Sequence, residues 1–371
     1  MPRVQDQTGI SNGRLGFALL FVGAGALPAM LLAGRALDRW GLRVAAGPIG
    51  LLGIIGIALA LTAVDLTSLC VGLTIVGASS GAADVTMNAV AGRAEETTGR
   101  PVITRAHATF SAFVVLSSLG TGVAAAAAWP LTVPFLGVAV LSVTAGAAML
   151  TTLPPQQVAS RDSTRLTAPS PPGRSGVLPL LPLGALGALA FASENAHQSW
   201  SAVFAQDQLH AGAGLTTVAP AVFAGTVAIT RFATGQLKGI HAQTIILAGS
   251  LAAACGSLII AAAPALPVAA VGLVLAGAGT AVLFPALLGI MSRNVEESYR
   301  GRATSVVTTI SYMGFLISPV YVGLWAQATG LRGAMTAIAG LTIALFLLTP
   351  LLLGLSRTTS NETPPPAHER Q

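Results

Sequence analysis

An all-α polytopic membrane protein is the fold class this sequence predicts, and three observations predict it. Apolar residues make up 53% of the 371 and charged residues only 9%, against about 25% charged in ordinary soluble domains. Mean hydropathy is +0.75. Long intervals without charge recur along the whole chain, at lengths set by a bilayer core about 30 Å thick, which takes about 20 apolar residues of helix.

In chain order, residues 15–34 and 44–64 carry no charge, 66–92 only Asp84, 175–206 only Glu194, and 208–237 only Arg231. Each predicts one span. The intervals 106–160 and 239–292 are too long for one helix. Each has a break, at Trp129-Pro130 and at Pro264-Ala265-Leu266-Pro267, where proline ends one helix and permits the start of another. With 303–331 and 333–356 the total is eleven spans, so the termini lie on opposite sides.

Cations at helix ends resist translocation. One set of loops collects Arg35, Arg39 and Arg43, Arg93, Arg100 and Arg105, Arg161, Arg165 and Arg174, Lys238, and Arg293, Arg300, Arg302, Arg357 and Arg370, while the other set holds Arg3, Arg14 and Arg332. The first set is predicted to face the cytoplasm, with the C-terminus. The formal charge of +6 is then membrane topology and requires no nucleic acid. Cys70 and Cys255, the two cysteines, lie in apolar stretches and cannot build a disulfide framework or a four-thiolate metal site.

The chain repeats itself at an offset of 200 or 201 residues. Gly72-Leu73 and Gly77-Ala78 recur as Gly272-Leu273 and Gly277-Ala278, and the acidic and basic loop from Arg93 to Arg100 recurs from Arg293 to Arg302. Repeated helix bundles around a polar cavity are the common build of secondary transporters. The organisation read from this is an N-terminal bundle (1–150), a linker rich in Pro, Ser and Thr (151–176), a C-terminal bundle (177–356) and a tail (357–371). The same offset places the partner of the helix at about 177–204 ahead of residue 1, so twelve spans are expected of a complete protein and the first half lacks its first helix.

Gly34-Arg35-Ala36-Leu37-Asp38-Arg39-Trp40-Gly41-Leu42-Arg43 resembles the loop signature of the major facilitator superfamily, Gly-x-x-x-Asp-Arg-x-Gly-x-Arg, at Gly34, Asp38, Arg39, Gly41 and Arg43. The resemblance implies the major facilitator fold of two pseudo-symmetric bundles, with this loop latching the bundles and controlling gating. Physically, the glycines allow a tight turn, Asp38 can accept hydrogen bonds at a helix N-terminus, and the arginines can pair with acids of neighbouring helices. The second-half copy keeps Gly235 but has Gly239 where the Asp would be. A narrower resemblance, to the YbjJ-like, sugar-permease-related branch, rests on Asp84-Val85-Thr86-Met87-Asn88, Glu95, Gly99-Arg100-Pro101, His107, Ser111, Glu194 before Trp200, and Arg231. Ala112-Phe113, Asn195 and Ser318-Pro319 depart from that branch. The Gly-Pro antiporter signature is not seen at 117–122.

Charged side chains at mid-bilayer cost about 2.5–3.5 kcal/mol even on lenient scales, so each asks for a partner or a purpose. Asp84 lies about 22 Å along a helix entering near Leu69, with Asn88 on its face. It reads either as a structural acid bonded to His107 or a helix N-terminus, or as a proton or substrate site; its repeat mate is Phe284. Glu194 lies deep in its helix, followed by Asn195, His197 at i+3 and Gln198 at i+4, with Trp200 marking the outer interface. An acid and an imidazole one turn apart can share a proton, which suits a coupling site; the plainer reading is a wetted rim cluster. Arg231 can snorkel to the interface, pair with an acid such as Asp84, or recognise an anionic cargo. His107 reads as a loop-packing histidine.

Gly77-Ala78-Ser79-Ser80-Gly81 fits the Gly-x-Ser-x-Gly pattern, but that chemistry needs a strand-turn-helix elbow. On a spanning helix it is a patch for close helix approach. There is no phosphate loop and no His-Glu-x-x-His, so no enzyme chemistry is expected. The expected function is secondary active transport of a small polar solute or metabolite across the cytoplasmic membrane. A proton gradient is the energy source and no cofactor is needed; the partners are the solute and the lipid bilayer, and the chain acts as a monomer. A proton-antiport exporter and a non-transporting sensor or scaffold remain the alternatives. With aromatics at 5%, few stacking platforms are expected for large planar solutes.

Overall fold

The computed structural model describes residues 2–100, 102–153, 180–234, 241–295 and 297–361. Among these residues the structure is helical, because a chain in hydrocarbon must satisfy its backbone groups internally. A short helix α1 (Pro2–Thr8) precedes α2 (Asn12–Trp40), a 3₁₀ turn (Leu42–Ala45), α3 (Ala46–Thr62), α4 (Leu66–Thr98), α5 (Val102–Ala126) and α6 (Thr132–Thr152). The second half comprises α7 (Leu181–Val203) with a π-helical turn (Phe204–Gln208), α8 (Val218–Thr234), α9 (Ala242–Ala262), α10 (Leu266–Asn294) and α11 (Glu297–Asn361). Helix α11 is broken at Gly330, whose φ of 78° and ψ of 173° suit a residue without Cβ. Its two limbs, 297–329 and 331–361, bring the crossing segments to the expected eleven.

Among the described residues, seven helices are long and apolar enough to cross a membrane by length and composition, the broken α11 among them. Helices α5 and α8 carry shorter apolar stretches, Ala112–Ala126 and Val218–Thr234, and the polar run at 193–201 interrupts α7. The helix breaks fall where the prolines place them, between α5 and α6 and between α9 and α10. The first predicted boundary moves: α2 continues past Gly34 to Trp40, because Arg35-Ala36-Leu37 extends a helix without penalty. The first residues of the linker expected at 151–176 belong to the end of α6, and its remainder from residue 154, most of the tail, and the second copy of the signature loop near Gly235 and Gly239 lie outside the described residues. So does any chain ahead of residue 1.

Local sequence starts and ends the helices. Asp65 caps α4: the Ser68 N–H donates to Asp65 Oδ1 at 2.7 Å, while the Asp65 N–H donates to Ser68 Oγ at 3.0 Å, the reciprocal capping box. Hydrogen bonds donated by Ser68 hold the Asp65 carboxyl below its ordinary value. Gly41 ends α2 with φ 74° and ψ −175°, which only glycine adopts readily. Arginines finish two others. Arg332 donates to the Ala261 and Ala263 carbonyls at 2.7 and 2.9 Å, and Arg3 to the Trp129 carbonyl just past α5 at 2.8 Å. Cations at a helix C-terminus satisfy carbonyls that lack an intrahelical partner.

The repeat is visible in the packing. Gly77 of α4 lies against the backbone of Val22 of α2, and Gly277 of α10 against the backbone of Phe223 of α8, the same crossing one repeat later. Within the first half α2 packs on α4, and α3 on α4 and α6; within the second α7 packs on α11, and α9 on α10 and α11. The halves meet along α2 with α11 and along α5 with α8.

These meetings lie away from the arginine-rich face. Gly16 and Gly23 of α2 adjoin Gly323 and Leu316 of α11, and Gly122 of α5 adjoins Thr217 and Gly214. One apolar core joins both halves there, with Leu15, Leu69, Trp200, Phe223 and Val322 in it, whereas the core nearer the arginine-rich face, around Leu183, Ile246, Leu287 and Leu345, comes from the second half alone. Helix α1 caps the closed end. Gln7 donates to the Ala60 and Ala63 carbonyls of α3, and Gln206 of the π turn donates to Asp6 Oδ2 at 3.1 Å across the two halves. Burial and the nearby Asp6 raise the carboxyl of Asp207, which His210 partly offsets.

Two expectations follow. A side chain at Gly77 or Gly314 would meet the backbone of Val22 or Ala188, and overpacking costs about 1–3 kcal/mol. Gly77→Leu and Gly314→Leu should therefore lower the thermal midpoint in detergent, read by fluorescence-detected gel filtration. Gly340→Ala, which meets nothing within 4 Å, should not. Because the Asp207 carboxyl is raised, its contribution to stability is fully present below the ordinary value of 3.8 and is lost as pH rises through the folded-state value. Asp207→Asn should then raise the midpoint at neutral pH and flatten its decline from pH 4 upward.

Candidate functional site

Helix α7 presents two different faces. Residues three and four apart share a side of a helix, and the spacing divides Phe191, Glu194 and Gln198 from Ser193, His197, Trp200 and Ser201. The second set is buried; Trp200 is fully enclosed and Gln198 is exposed. Trp200 is thus a core residue and not an interface marker. It lies fully buried in the apolar core that joins the two halves, with its indole N–H unpaired among the described residues.

The buried face is a fastening. His197 Nδ1 donates to the Ser193 carbonyl at 2.8 Å, since a carbonyl can only accept, and Nε2 lies 3.0 Å from Ser257 Oγ on α9. Its ring stacks on Phe223 of α8, with centroids 5.2 Å apart. Asn195 donates to the Phe315 carbonyl of α11 at 2.8 Å and accepts from Ser199. His197 and Asn195 therefore tie α7 to α8, α9 and α11.

The other face carries the charge. Arg231 Nη2 on α8 donates to both oxygens of Glu194, at 2.9 and 2.7 Å, and Nε makes a longer 3.4 Å contact with the Ala281 carbonyl of α10. The side chains are 43% and 19% exposed respectively. The proton-sharing pair of Glu194 with His197 is not formed, because the two side chains leave α7 on different sides and Arg231 holds the carboxylate. Asp84 is not the partner of Arg231 either.

Asp84, on α4, accepts from Asn88 Nδ2 at 3.2 Å, and the same amide donates to the Asp84 backbone carbonyl at 2.9 Å. The pair shares a face, as its spacing predicts. Tyr312 belongs to an aromatic cluster: Phe191 lies 4.3 Å from Phe284 and 5.4 Å from Tyr312, and Tyr312 lies 6.3 Å from Phe315, between ring centroids. Sequence reasoning missed this shelf, although Phe284, as the repeat mate of Asp84, was a pointer. His107 lies in α5, and its side chain is outside the described residues.

At the signature segment, Gly41 makes the turn, Arg43 Nε donates to the Leu153 carbonyl at the end of α6 at 2.9 Å, and the Arg39 guanidinium lies 5.5 Å above the Trp40 ring. Gly34, Asp38 and Arg39 lie within α2. Asp38 therefore sits in the last turn of one helix and does not cap the first turn of another.

Two repeated helix bundles that meet away from the arginine-rich face are the architecture of a membrane transporter. The match to the family model of the Major Facilitator Superfamily covers residues 1–271 and 239–370, and the chain belongs to that superfamily. It is 27% identical over 347 residues to an uncharacterized MFS-type transporter of Yersinia pestis, covering 91% of this chain and 86% of that one. It is 28% identical over 357 residues to an uncharacterized transporter of Sinorhizobium fredii, covering 95% and 92%. Among solved structures it is similar to an inward-facing, unoccupied bacterial homologue of the human lysosomal transporter Spinster, with TM-score 0.70, 15% identity and coverage of 98% and 93%. It is also similar to the nucleoside transporter NupG, with TM-score 0.67, 14% identity and coverage of 94% and 92%. At these identities the structures share the fold.

The ion pair has a measurable signature. Exposed pairs contribute about 0.2–1 kcal/mol and breaking buried ones costs about 3–5, and the partial exposure of Arg231 places this one between. A thermal double-mutant cycle with Glu194→Gln and Arg231→Gln should give a coupling of about 1 kcal/mol or more, with the double variant more stable than the sum of the singles.

Proposed function

We propose that the chain moves a small polar solute across the cytoplasmic membrane by proton-coupled alternating access, with the arginine-rich face toward the cytoplasm. The observation that carries this is the Glu194–Arg231 pair, a carboxylate and a guanidinium on α7 and α8. A proton on Glu194 removes its charge and weakens its hold on Arg231, so protonation and the α7–α8 contact are linked. Because the halves meet away from the arginine-rich face, the arrangement fits a state open toward the cytoplasm. Arg231, released from Glu194, can engage solute while it keeps its contact with the Ala281 carbonyl; restored, it expels the proton.

The test uses proteoliposomes carrying an internal pH-sensitive dye, exposed to pools of amino acids, amines, sugars and carboxylates under an imposed proton gradient. The wild type should show a solute-dependent proton flux, inward with solute for symport and opposite to it for antiport. Glu194→Gln should lose gradient-driven accumulation and keep solute counterflow. Accumulation by this variant at the wild-type level would remove Glu194 from coupling.

A further inference from the structure

Beside the signature segment the first half carries an open groove. Helices α2 and α3 each pack on α4 and hardly on one another, and α3 otherwise packs on α6. The space between α2 and α3 therefore lies on the outside of the first half, over a floor of small α4 residues. It measures about 810 Å³ and is lined by Ala29 and Ala33 of α2, Leu51 and Ile55 of α3, and Ala78 and Ala82 of α4. Its rims are open, since Leu32, Leu51 and Ile75 are exposed. One end is charged: Arg35, Arg39 and Trp40 line it there. All three are exposed; the Arg39 guanidinium lies over the Trp40 ring, and Arg35 Nη1 makes a long 3.5 Å contact with the Leu31 carbonyl one turn back. Past Ile55 and Ile75 a second cleft runs on between α3 and α4 toward Asp65.

From Ala29 to Trp40 helix α2 rises about 16 Å, at about 1.5 Å per residue. That is roughly half of a hydrocarbon core about 30 Å thick. A partner helix needs the full depth, whereas a lipid of one leaflet needs half. An apolar channel one leaflet deep that ends in an indole and two guanidinium groups repeats the order of a phospholipid, chains first and phosphate at the interface. Trp is favoured at that level, and arginine meets phosphate with paired N–H donors. Residues 34–43 hold Arg35, Arg39 and Arg43 against the single acid Asp38, a surplus that attracts a net anionic headgroup and repels an ammonium. Asp65 gives the far cleft the opposite preference. We infer that the groove between α2 and α3 is a binding site for one anionic phospholipid, with its phosphate at Arg35 and Arg39 and an acyl chain along Ala29, Ala33 and Leu51. This needs only that the chain spans a membrane and is independent of proton coupling.

The test is native mass spectrometry of the detergent-purified full chain with equimolar phosphatidylglycerol and phosphatidylethanolamine of identical acyl chains. The wild type should retain phosphatidylglycerol in preference by roughly fivefold or more, the effect of one cation near a membrane surface. Arg35→Gln should lower that preference roughly fivefold, and Arg35→Lys, which keeps the charge, by less. Arg293→Gln, an exposed cation at the end of α10 in the second half, should leave it unchanged. Ala29→Phe, which fills the groove, should lower the retention of phosphatidylglycerol. Glycerol phosphate in large excess, a headgroup without chains, should not displace the bound lipid. The arginine variants lie on exposed positions and carry the test if Ala29→Phe does not give a monodisperse protein. Equal retention of the two lipids, or a preference for phosphatidylethanolamine, would overturn the inference. So would an equal loss with Arg293→Gln, which marks diffuse surface charge, full retention by monodisperse Ala29→Phe, or displacement by glycerol phosphate.

Discussion

Backbone contact between helices is the constraint on which the architecture rests. In lipid there is little hydrophobic drive for one helix to join another, so close packing of small residues carries the association. Gly25 of α2 opens the way to the Thr74 backbone of α4, and Gly77 to the Val22 backbone. The repeat uses Gly277 against Phe223. Two turns beyond each seam, on the same helix side, stand Asp84 and Phe284. The crossings set their depth, and substitution between the repeats makes one an acid and the other a ring. A symmetric scaffold thereby supports an asymmetric site.

Helix α7 shows how one element separates holding from responding. His197 and Asn195 are committed to neighbours on α8, α9 and α11, while on the other side Phe191 packs on Phe284 and Tyr312 and Glu194 is held by Arg231. Ser257 has one hydroxyl proton and two acceptors within reach, the Ala253 carbonyl at 2.8 Å and His197 Nε2 at 3.0 Å. With a neutral imidazole whose Nδ1 already carries the proton, that hydroxyl completes the pair only by donating to Nε2.

The spans, their breaks and the repeat were legible because charge is rare here and each proline stands out against a helical background. Glu194, Arg231 and Asp84 were legible for the same reason. Their partners were not. Arg231 reaches Glu194 across 37 residues of sequence, and which acid it meets depends on how α7, α8 and α4 are arranged, which periodicity within one helix does not encode. The i+3 spacing of Glu194 and His197 brought them to neighbouring positions but left open that a helix boundary between buried and accessible sides passes between them. The aromatic shelf draws on positions 191, 284, 312 and 315, from three helices, and a composition of 5% aromatics says nothing about their gathering. Gly34 matched a loop signature by type, yet only Gly41 has the backbone angles a turn requires.

The two arginines that finish helices also change how the charge asymmetry is weighed. Arg3 and Arg332 belong to the sparse set that runs against the bias, and both have their guanidinium groups fixed on carbonyl oxygens at helix ends. Only loop cations that remain available to a headgroup or to the insertion machinery can argue about orientation. On the sparse side, setting these two aside leaves Arg14, while Arg43 is the member of the opposing set tied in the same way, to the Leu153 carbonyl. The two exceptions keep their charge but spend their donors on the carpentry of the helix ends.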